Sequence, residues 1–261
     1  VTVVGDEYEV FIKKVHGKSG LDLSNYKRPQ MERRIRTLAR SQGVNDLLSY
    51  FTLIDRDAEQ YRKFIDHLTI NVSEFLRNPG QWEILTNKIL PMLQKENPVL
   101  KVWSAGCSTG EEPYSLAMTL LESRCDMRNK VLASDLDTEV LRKAQIGIYS
   151  DKSLANVPPQ QVSRYFEAQG SGFHRVKDDL KRHIRFQQQN LLKDNFESGF
   201  DLILCRNVVI YFTEETKSLL YKRFYQALRK GGILFTGSTE QIFQARELGF
   251  GTAATFFYQK L

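Results

Sequence analysis

The sequence predicts an α/β domain built on a mainly parallel sheet, preceded by a small all-helical domain. Three observations predict it. Apolar residues recur at helical spacing through roughly the first hundred positions. After Asn97-Pro98, short apolar runs alternate with helical stretches, the pattern of a parallel sheet covered on both faces. Between the first of these runs and the helix after it lies a loop with Gly106 and Gly110, where open α/β sheets hold ligands.

In the first part, Val10, Phe11 and Val15 followed by Gly17 and Gly20 read as a helix with a glycine stop. Met31, Ile35 and Leu38 give a helix over 27–40, and two more follow over 46–53 and 58–68. A last one, over 81–94, passes through Trp82, Leu85, Ile89 and Leu93; Pro91 is expected to kink it or end it early. The join is placed near 95–98, giving a helical domain with its linker helix over 1–95 and an α/β domain over 96–261. In that second part, strands are expected at 99–103, 131–133, 184–186, 202–205 and 233–236. Helices are expected from Glu112, over 138–145 and over 214–229. The stretch 255–258 reads as one more strand, reached through a loop at Gly249–Gly251.

Composition bounds the class. With 41% hydrophobic and 26% charged residues over 261 positions, the chain can bury a real core. No stretch approaches the roughly 20 apolar residues that span a bilayer, so no membrane insertion is expected. Val1 to Val10 lacks the basic region and apolar run of a signal peptide. Cys107, Cys125 and Cys205 are odd in number and far apart, which suits reduced thiols in a cytoplasm better than a disulfide framework or a metal site. A formal charge of +6 implies an acidic partner without naming its class.

The segment Trp103-Ser-Ala-Gly-Cys-Ser-Thr-Gly110-Glu-Glu-Pro-Tyr114 carries the most chemistry. Gly106 and Gly110 let the backbone turn tightly and approach a ligand, and Pro113 fits the first turn of a helix. A dinucleotide loop would read G-x-G-x-x-G and present bare amides to a pyrophosphate. Here Glu111 and Glu112 would repel a phosphate, which weighs against an NAD-dependent oxidoreductase. Acids there suit a cationic ligand, and S-adenosylmethionine carries both an ammonium and a sulfonium. Acids also favour any helix N-terminus, so the loop alone leaves the two readings even. Asp135 stands directly after the second strand, where ribose hydroxyls lie in such folds, and Asp137 is assigned to cap the next helix. The fourth strand ends in Arg206-Asn207, a polar end that points to the same rim.

With Thr69-Ile-Asn-Val-Ser-Glu-Phe-Leu-Arg77, Asn190-Leu-Leu192 and Cys205-Arg-Asn-Val-Val-Ile-Tyr-Phe212 added to the motifs at 102–115 and 133–141, the chain resembles the CheR-type chemoreceptor glutamate methyltransferases along essentially its whole length. Ordered motifs at compatible spacing are far more specific than any single one. The resemblance implies a Rossmann-like class I S-adenosylmethionine-dependent methyltransferase domain with a small β-hairpin subdomain at about 150–185. It implies methyl transfer to glutamate carboxylates of bacterial chemotaxis receptors, with S-adenosylhomocysteine as the product. Asn71, Ser73 and Arg77 would form a lip over the cofactor. Glu112 would take the methionine ammonium, Asp135 the ribose, and Asn190-Leu191 the adenine region, with Gly106 at the same rim. Asn207, next to Arg206, would hold the methionine end, and Tyr211 would face the sulfonium and substrate. Arg77, aligning the substrate carboxylate, and Tyr211 are thus the catalytic candidates; without the family match, they read as a surface cation and a core tyrosine.

Two features bear on partners. The helix over 27–40 carries Lys27, Arg28, Arg33, Arg34, Arg36 and Arg40 against one acid, Glu32, and Arg33, Arg36 and Arg40 share a face. A basic face of this kind is solvated or binds nucleic acid in other contexts; the resemblance implies instead an acidic surface on the helical cytoplasmic domain of a receptor. The stretch 166–177, with its turn at Gly170–Gly172, is expected to form a hairpin a few residues shorter than in tail-binding relatives, so a grip on the receptor C-terminal tail is not assumed. Other readings of the residues are a methyltransferase for another protein or a small molecule, or a non-enzymatic nucleotide-binding module.

Overall fold

The computed structural model describes residues 6–68 and 73–261. Contacts divide the chain into two compact units: Val1–Asn71 with Tyr211–Lys217, and Val72–Ile210 with Ser218–Leu261.

The first unit contains α1 (Glu7–Ser19), α2 (Arg28–Ser41), α3 (Leu47–Arg56) and α4 (Ala58–Leu68). Asp6 opens α1 by accepting from the Tyr8 amide, and Gly20 at φ 70 closes it, so the stop falls at the second of the two glycines. Asp46 opens α3 by accepting from the Ser49 amide. The buried positions Phe11, Val15, Ile35, Tyr50, Ile54 and Phe64 form the core of this unit. In α2 the buried face is Met31, Ile35 and Ala39, with Leu38 only partly covered, because the helical repeat carries the stripe one residue past the leucine. The segment 211–217 joins this unit through a bridge between Tyr26 and Phe212 and a bond from the Thr213 amide to the Asn25 carbonyl at 2.9 Å.

The second unit begins with α5 (Pro79–Ile84), a π-helical turn (Leu85–Ile89) and α6 (Leu90–Glu96). Pro91 neither ends this helix nor stands as a simple break. The Leu90 amide reaches back to the Leu85 carbonyl, five residues away, and this wider turn gives room to a residue that lacks an amide donor. Trp82, Leu85, Ile89, Leu90 and Leu93 pack into the core beneath the sheet, so contacts group the linker helix with the second unit.

The remaining elements follow in chain order: β1 (Val102–Ala105), α7 (Glu111–Glu122), β2 (Val131–Asp135), α8 (Thr138–Ile146), β3 (Ile148–Ser150), α9 (Pro159–Tyr165), β4 (Phe166–Gly170), β5 (Phe173–Val176), α10 (Asp178–Lys181), β6 (Ile184–Gln188), β7 (Phe200–Cys205), α11 (Glu214–Ala227), β8 (Leu228–Thr236), β9 (Phe250–Ala254) and β10 (Phe257–Lys260). Seven strands form one sheet in the order β6-β2-β1-β7-β8-β10-β9. The first five are parallel, and β10 runs antiparallel to both of its neighbours. This is the Rossmann-like arrangement of class I methyltransferases, and the strand order reverses between β1 and β7, where such sheets bind ligands.

A smaller antiparallel sheet, β3-β5-β4, contains the expected hairpin, whose turn uses Gly170 and Gly172 at positive φ. Two strands were not foreseen: β3, which pairs with β5, and β9. The region read as a loop at Gly249–Gly251 becomes β9, because Gly249, at φ 88, packs against the Tyr225 ring where a Cβ would clash, and the chain then pairs with β10. Among the described residues, no helix is long and apolar enough to cross a membrane.

Candidate functional site

The loop after β1 is held by its neighbours rather than by itself. The amides of Gly106 and Cys107 both donate to the Ser134 carbonyl, at 2.8 and 2.9 Å. Gly106 has φ +77, and a Cβ there would meet Val208 Cγ2 at 2.5 Å, so both conformation and space require glycine. Asp135 stitches this loop to the end of β2: Oδ2 accepts from the Ser108 amide at 2.8 Å and Oδ1 from the Asp137 amide at 3.1 Å. Burial pushes the Asp135 carboxyl up, and those amides pull it back. Asp137 caps α8 by accepting from the amides of Glu139 and Val140.

Glu111 and Glu112 start α7, the first buried and the second half-buried. The Thr109 hydroxyl donates to Glu111 at 2.7 Å, and Ser73 also hydrogen-bonds that carboxylate. The Ser104 hydroxyl donates to Glu112 Oε1 at 2.8 Å, and Arg206 Nη1 lies 3.5 Å from Oε2. Burial raises both carboxyls; for Glu112 the charge of Arg206 opposes that rise. A preference for the helix N-terminus does not by itself account for two carboxylates withdrawn from water.

Arg206 leaves β7 into a closed seat. Its guanidinium lies 4.7 Å from the Phe235 ring and 5.7 Å from Trp82. Nη2 donates to the Arg77 carbonyl at 2.8 Å, to Asn78 Oδ1 at 3.2 Å and to Gln81 Oε1 at 3.0 Å. The segment 73–78 is thereby tied to the rim by its main chain, and further pins come from Leu76 donating to Ser115 Oγ and Phe75 donating to the Ser153 carbonyl. Phe75 is buried edge-on against Tyr149, whose hydroxyl donates to the Thr109 carbonyl at 2.6 Å.

Gly106, Glu112, Asp135, Arg206 and Asn207 therefore meet on one rim, at the carboxyl ends of β1, β2 and β7. Asn190 and Leu191 follow β6 beside it, where the Gln189 amide donates to the Asp135 carbonyl. The Asn190 side chain accepts from the Leu192 amide at 2.9 Å, and Leu191 is buried. Ser73 and Arg77 are attached through Glu111 and Arg206. Asn71 lies outside the described residues. Tyr211 groups with the helical unit, its carbonyl accepting from the Lys27 amide at 2.9 Å. On α2, Arg33 and Arg40 are exposed, whereas Arg36 pairs with Glu7 at 3.0 Å and Glu32 at 2.9 Å.

The sequence reading missed Glu240. It is buried after β8, and its carboxylate accepts from the amides of Asn207, Val209 and Gly237. The available signal was an acid in Gly237-Ser-Thr-Glu240, at the carboxyl end of another parallel strand.

Residues 71–255 match the family model of the CheR methyltransferase SAM-binding domain, and residues 6–69 match that of the CheR methyltransferase all-alpha domain. The chain is 40% identical to a chemotaxis protein methyltransferase of Listeria monocytogenes over 97% of each protein. It is 34% identical to one of Borreliella burgdorferi, over 98% of this chain and 95% of that one. With one of Escherichia coli K12 the identity is 37%, over 87% of this chain and 81% of the other.

Proposed function

The chain belongs to the CheR methyltransferase family, and from that premise we propose that it esterifies glutamate side chains of bacterial chemotaxis receptors, using S-adenosylmethionine as methyl donor. The observation that carries the reading is the rim of half-buried carboxylates, whose carboxyls the surrounding protein raises. Glu112 and Asp135 offer acceptors to an ammonium and to ribose hydroxyls, in a place that would repel a pyrophosphate. When bound, S-adenosylmethionine supplies a methyl carbon made electrophilic by a positively charged sulfur.

The chain's own task is to hold and align. A glutamate substrate is already ionised at neutral pH, so no residue has to take its proton. Glu112 holds the amino-acid ammonium, Asp135 the ribose, Asn207 the amino-acid end, and Asn190 with Leu191 the base. Gly106 lets the backbone come close, Arg206 keeps Glu112 and residues 77–81 in place, and Ser73 and Arg77 cover the site from the segment 73–78, with Asn71 added by the family motif. The Arg77 guanidinium aligns the substrate carboxylate; the contact must favour alignment over tight ground-state binding, which would gain nothing in rate. For Tyr211 the support is the motif Cys205–Phe212 alone. The exposed Arg33 and Arg40 on α2 are the docking candidates for an acidic helical surface of the receptor. The β4–β5 hairpin is given no role with a receptor tail.

The test is methyl-labelled S-adenosylmethionine incubated with membranes that contain chemoreceptors. Label released from the receptor by mild base is the expected result; label that resists base, or none on the receptor, sinks the reading. Arg77→Ala is expected to bind cofactor and to lose roughly 100-fold in single-turnover rate through misalignment. A near-normal rate would make Arg77 a surface cation.

A further inference from the structure

Glu240 has no part in the chemistry assigned above, yet it is 4% exposed and its carboxylate is fully engaged. Oε2 accepts from the Asn207 amide at 2.6 Å and from the Gly237 amide at 2.8 Å, and Oε1 accepts from the Val209 amide at 2.9 Å. Burial pushes this carboxyl up, and the amides of Asn207, Gly237, Val209 and Ile210 pull it down. Enclosing a carboxylate among main-chain amides is costly, and it persists where those amides must be held in place.

What it holds is the turn at Asn207, which stands at φ +61 in the left-handed region. Gly237 fits against the same group. A Cβ there would collide with Glu240 Oε2, would lie 2.9 Å from the Asn207 amide nitrogen, and would lie 3.3 Å from Asn207 Nδ2. The carboxylate, the left-handed asparagine and the glycine thus interlock just past the paired ends of β7 and β8, where Cys205 faces Thr236.

We propose that Glu240 is a positioning residue for methyl transfer: by fixing the Asn207 backbone it aims the Asn207 side chain at the amino-acid end of the cofactor. This rests on the assignment of Asn207 to the cofactor. A residue that merely fastens two loops together would affect binding whatever stands at position 207. A residue that acts through Asn207 loses its influence on binding once that side chain is removed.

The experiment is a double-mutant cycle on S-adenosylhomocysteine affinity, measured by calorimetry on protein shown to be folded by its melting curve. Asn207→Gly removes the side chain and tolerates the left-handed backbone. Asn207→Gly and Glu240→Gln are each expected to weaken binding roughly tenfold or more, and the double variant no more than Asn207→Gly alone. Glu240→Asp keeps the charge but withdraws it by one methylene; it should weaken binding in the same non-additive way, and it carries the test if Glu240→Gln does not fold. Additive losses, or normal binding by the Glu240 variants beside a weakened Asn207→Gly, overturn the proposal. Normal binding by Asn207→Gly instead overturns the assignment of Asn207, a separate failure.

Discussion

In the helical unit three acids, exposed or half-buried, pair with arginines: Asp6 with Arg28, and Glu7 and Glu32 both with Arg36. At the rim of the sheet, Glu240 is enclosed, Glu112 and Asp135 are half-buried, and all three are bonded mostly to amides and hydroxyls. The hydrogen bond from Arg28 holds the Asp6 carboxyl below its usual range, whereas burial lifts all three rim carboxyls above theirs. The same chemical group is therefore cheap to ionise in one region and costly in the other. Exposed pairs gain little and are screened by salt, so they suit surface steering. Buried carboxylates are kept where something must be bound or held.

The comparison breaks most visibly at Arg206. Arg206→Ala leaves Glu112 half-buried without its cation and strips a donor from the Arg77 carbonyl, Asn78 and Gln81. A loss of about 3–5 kcal/mol in unfolding free energy is expected, read as a shift in denaturant midpoint. Arg36→Ala in the helical unit should cost no more than about 1 kcal/mol. Equal losses at the two sites would mean that burial does not separate these regions energetically.

Glu112 sharpens the contrast through pH. Its carboxyl is raised by burial, so in the free protein it takes up a proton above the ordinary glutamate range. An ammonium beside it would favour the ionised form, and the complex would hold fewer protons than the free protein. Affinity for S-adenosylhomocysteine should then fall as pH drops through the raised value and level off above it. Glu112→Gln should weaken binding roughly 10- to 100-fold at neutral pH, the worth of one charged hydrogen bond, and flatten the pH slope. A slope unchanged in Glu112→Gln would move the titration to another group, such as Asp135.

Local chemistry made part of this legible in sequence. The glycine at 106, the acids opening α7 and the Asp137 cap announce themselves by residue type within a few positions, although only the cap is also held locally, by the Glu139 and Val140 amides. The helices of the first unit were legible for the same reason. What escaped depends on distant partners. The seat of Arg206 is made by Trp82 and Phe235, on either side of it in sequence and far from it. Glu240 accepts from the amide of Asn207, 33 residues earlier and just past the neighbouring strand β7, and β9 exists because Tyr225 and β10 receive a glycine-rich stretch. The π turn before Pro91 is a backbone answer to a missing donor, and residue type alone predicts only that some break occurs. Nor does spacing show that 211–217 pairs with Asn25 and Tyr26.

The smallest effect is expected on the exposed side of the comparison. Arg33 and Arg40 project from α2 and are the clean probes of docking, whereas reversing Arg36 would also break its pairs with Glu7 and Glu32 and mix docking with stability. Arg33→Glu with Arg40→Glu should leave cofactor affinity unchanged, because neither residue is assigned a contact with the cofactor. Methylation of receptor membranes should slow several-fold at low ionic strength, as like charge replaces attraction during encounter. Near 1 M salt, where the screening length is about 3 Å, the difference should largely disappear. Glu112→Gln provides the opposite pattern, a deficit that salt does not repair because the group it alters lies mostly out of solvent. A loss at Arg33 and Arg40 that persists in high salt would point to an apolar or directly bonded docking surface. An unchanged rate at every salt concentration would remove this face of α2 from receptor binding and leave the steering charge to be found elsewhere on the protein.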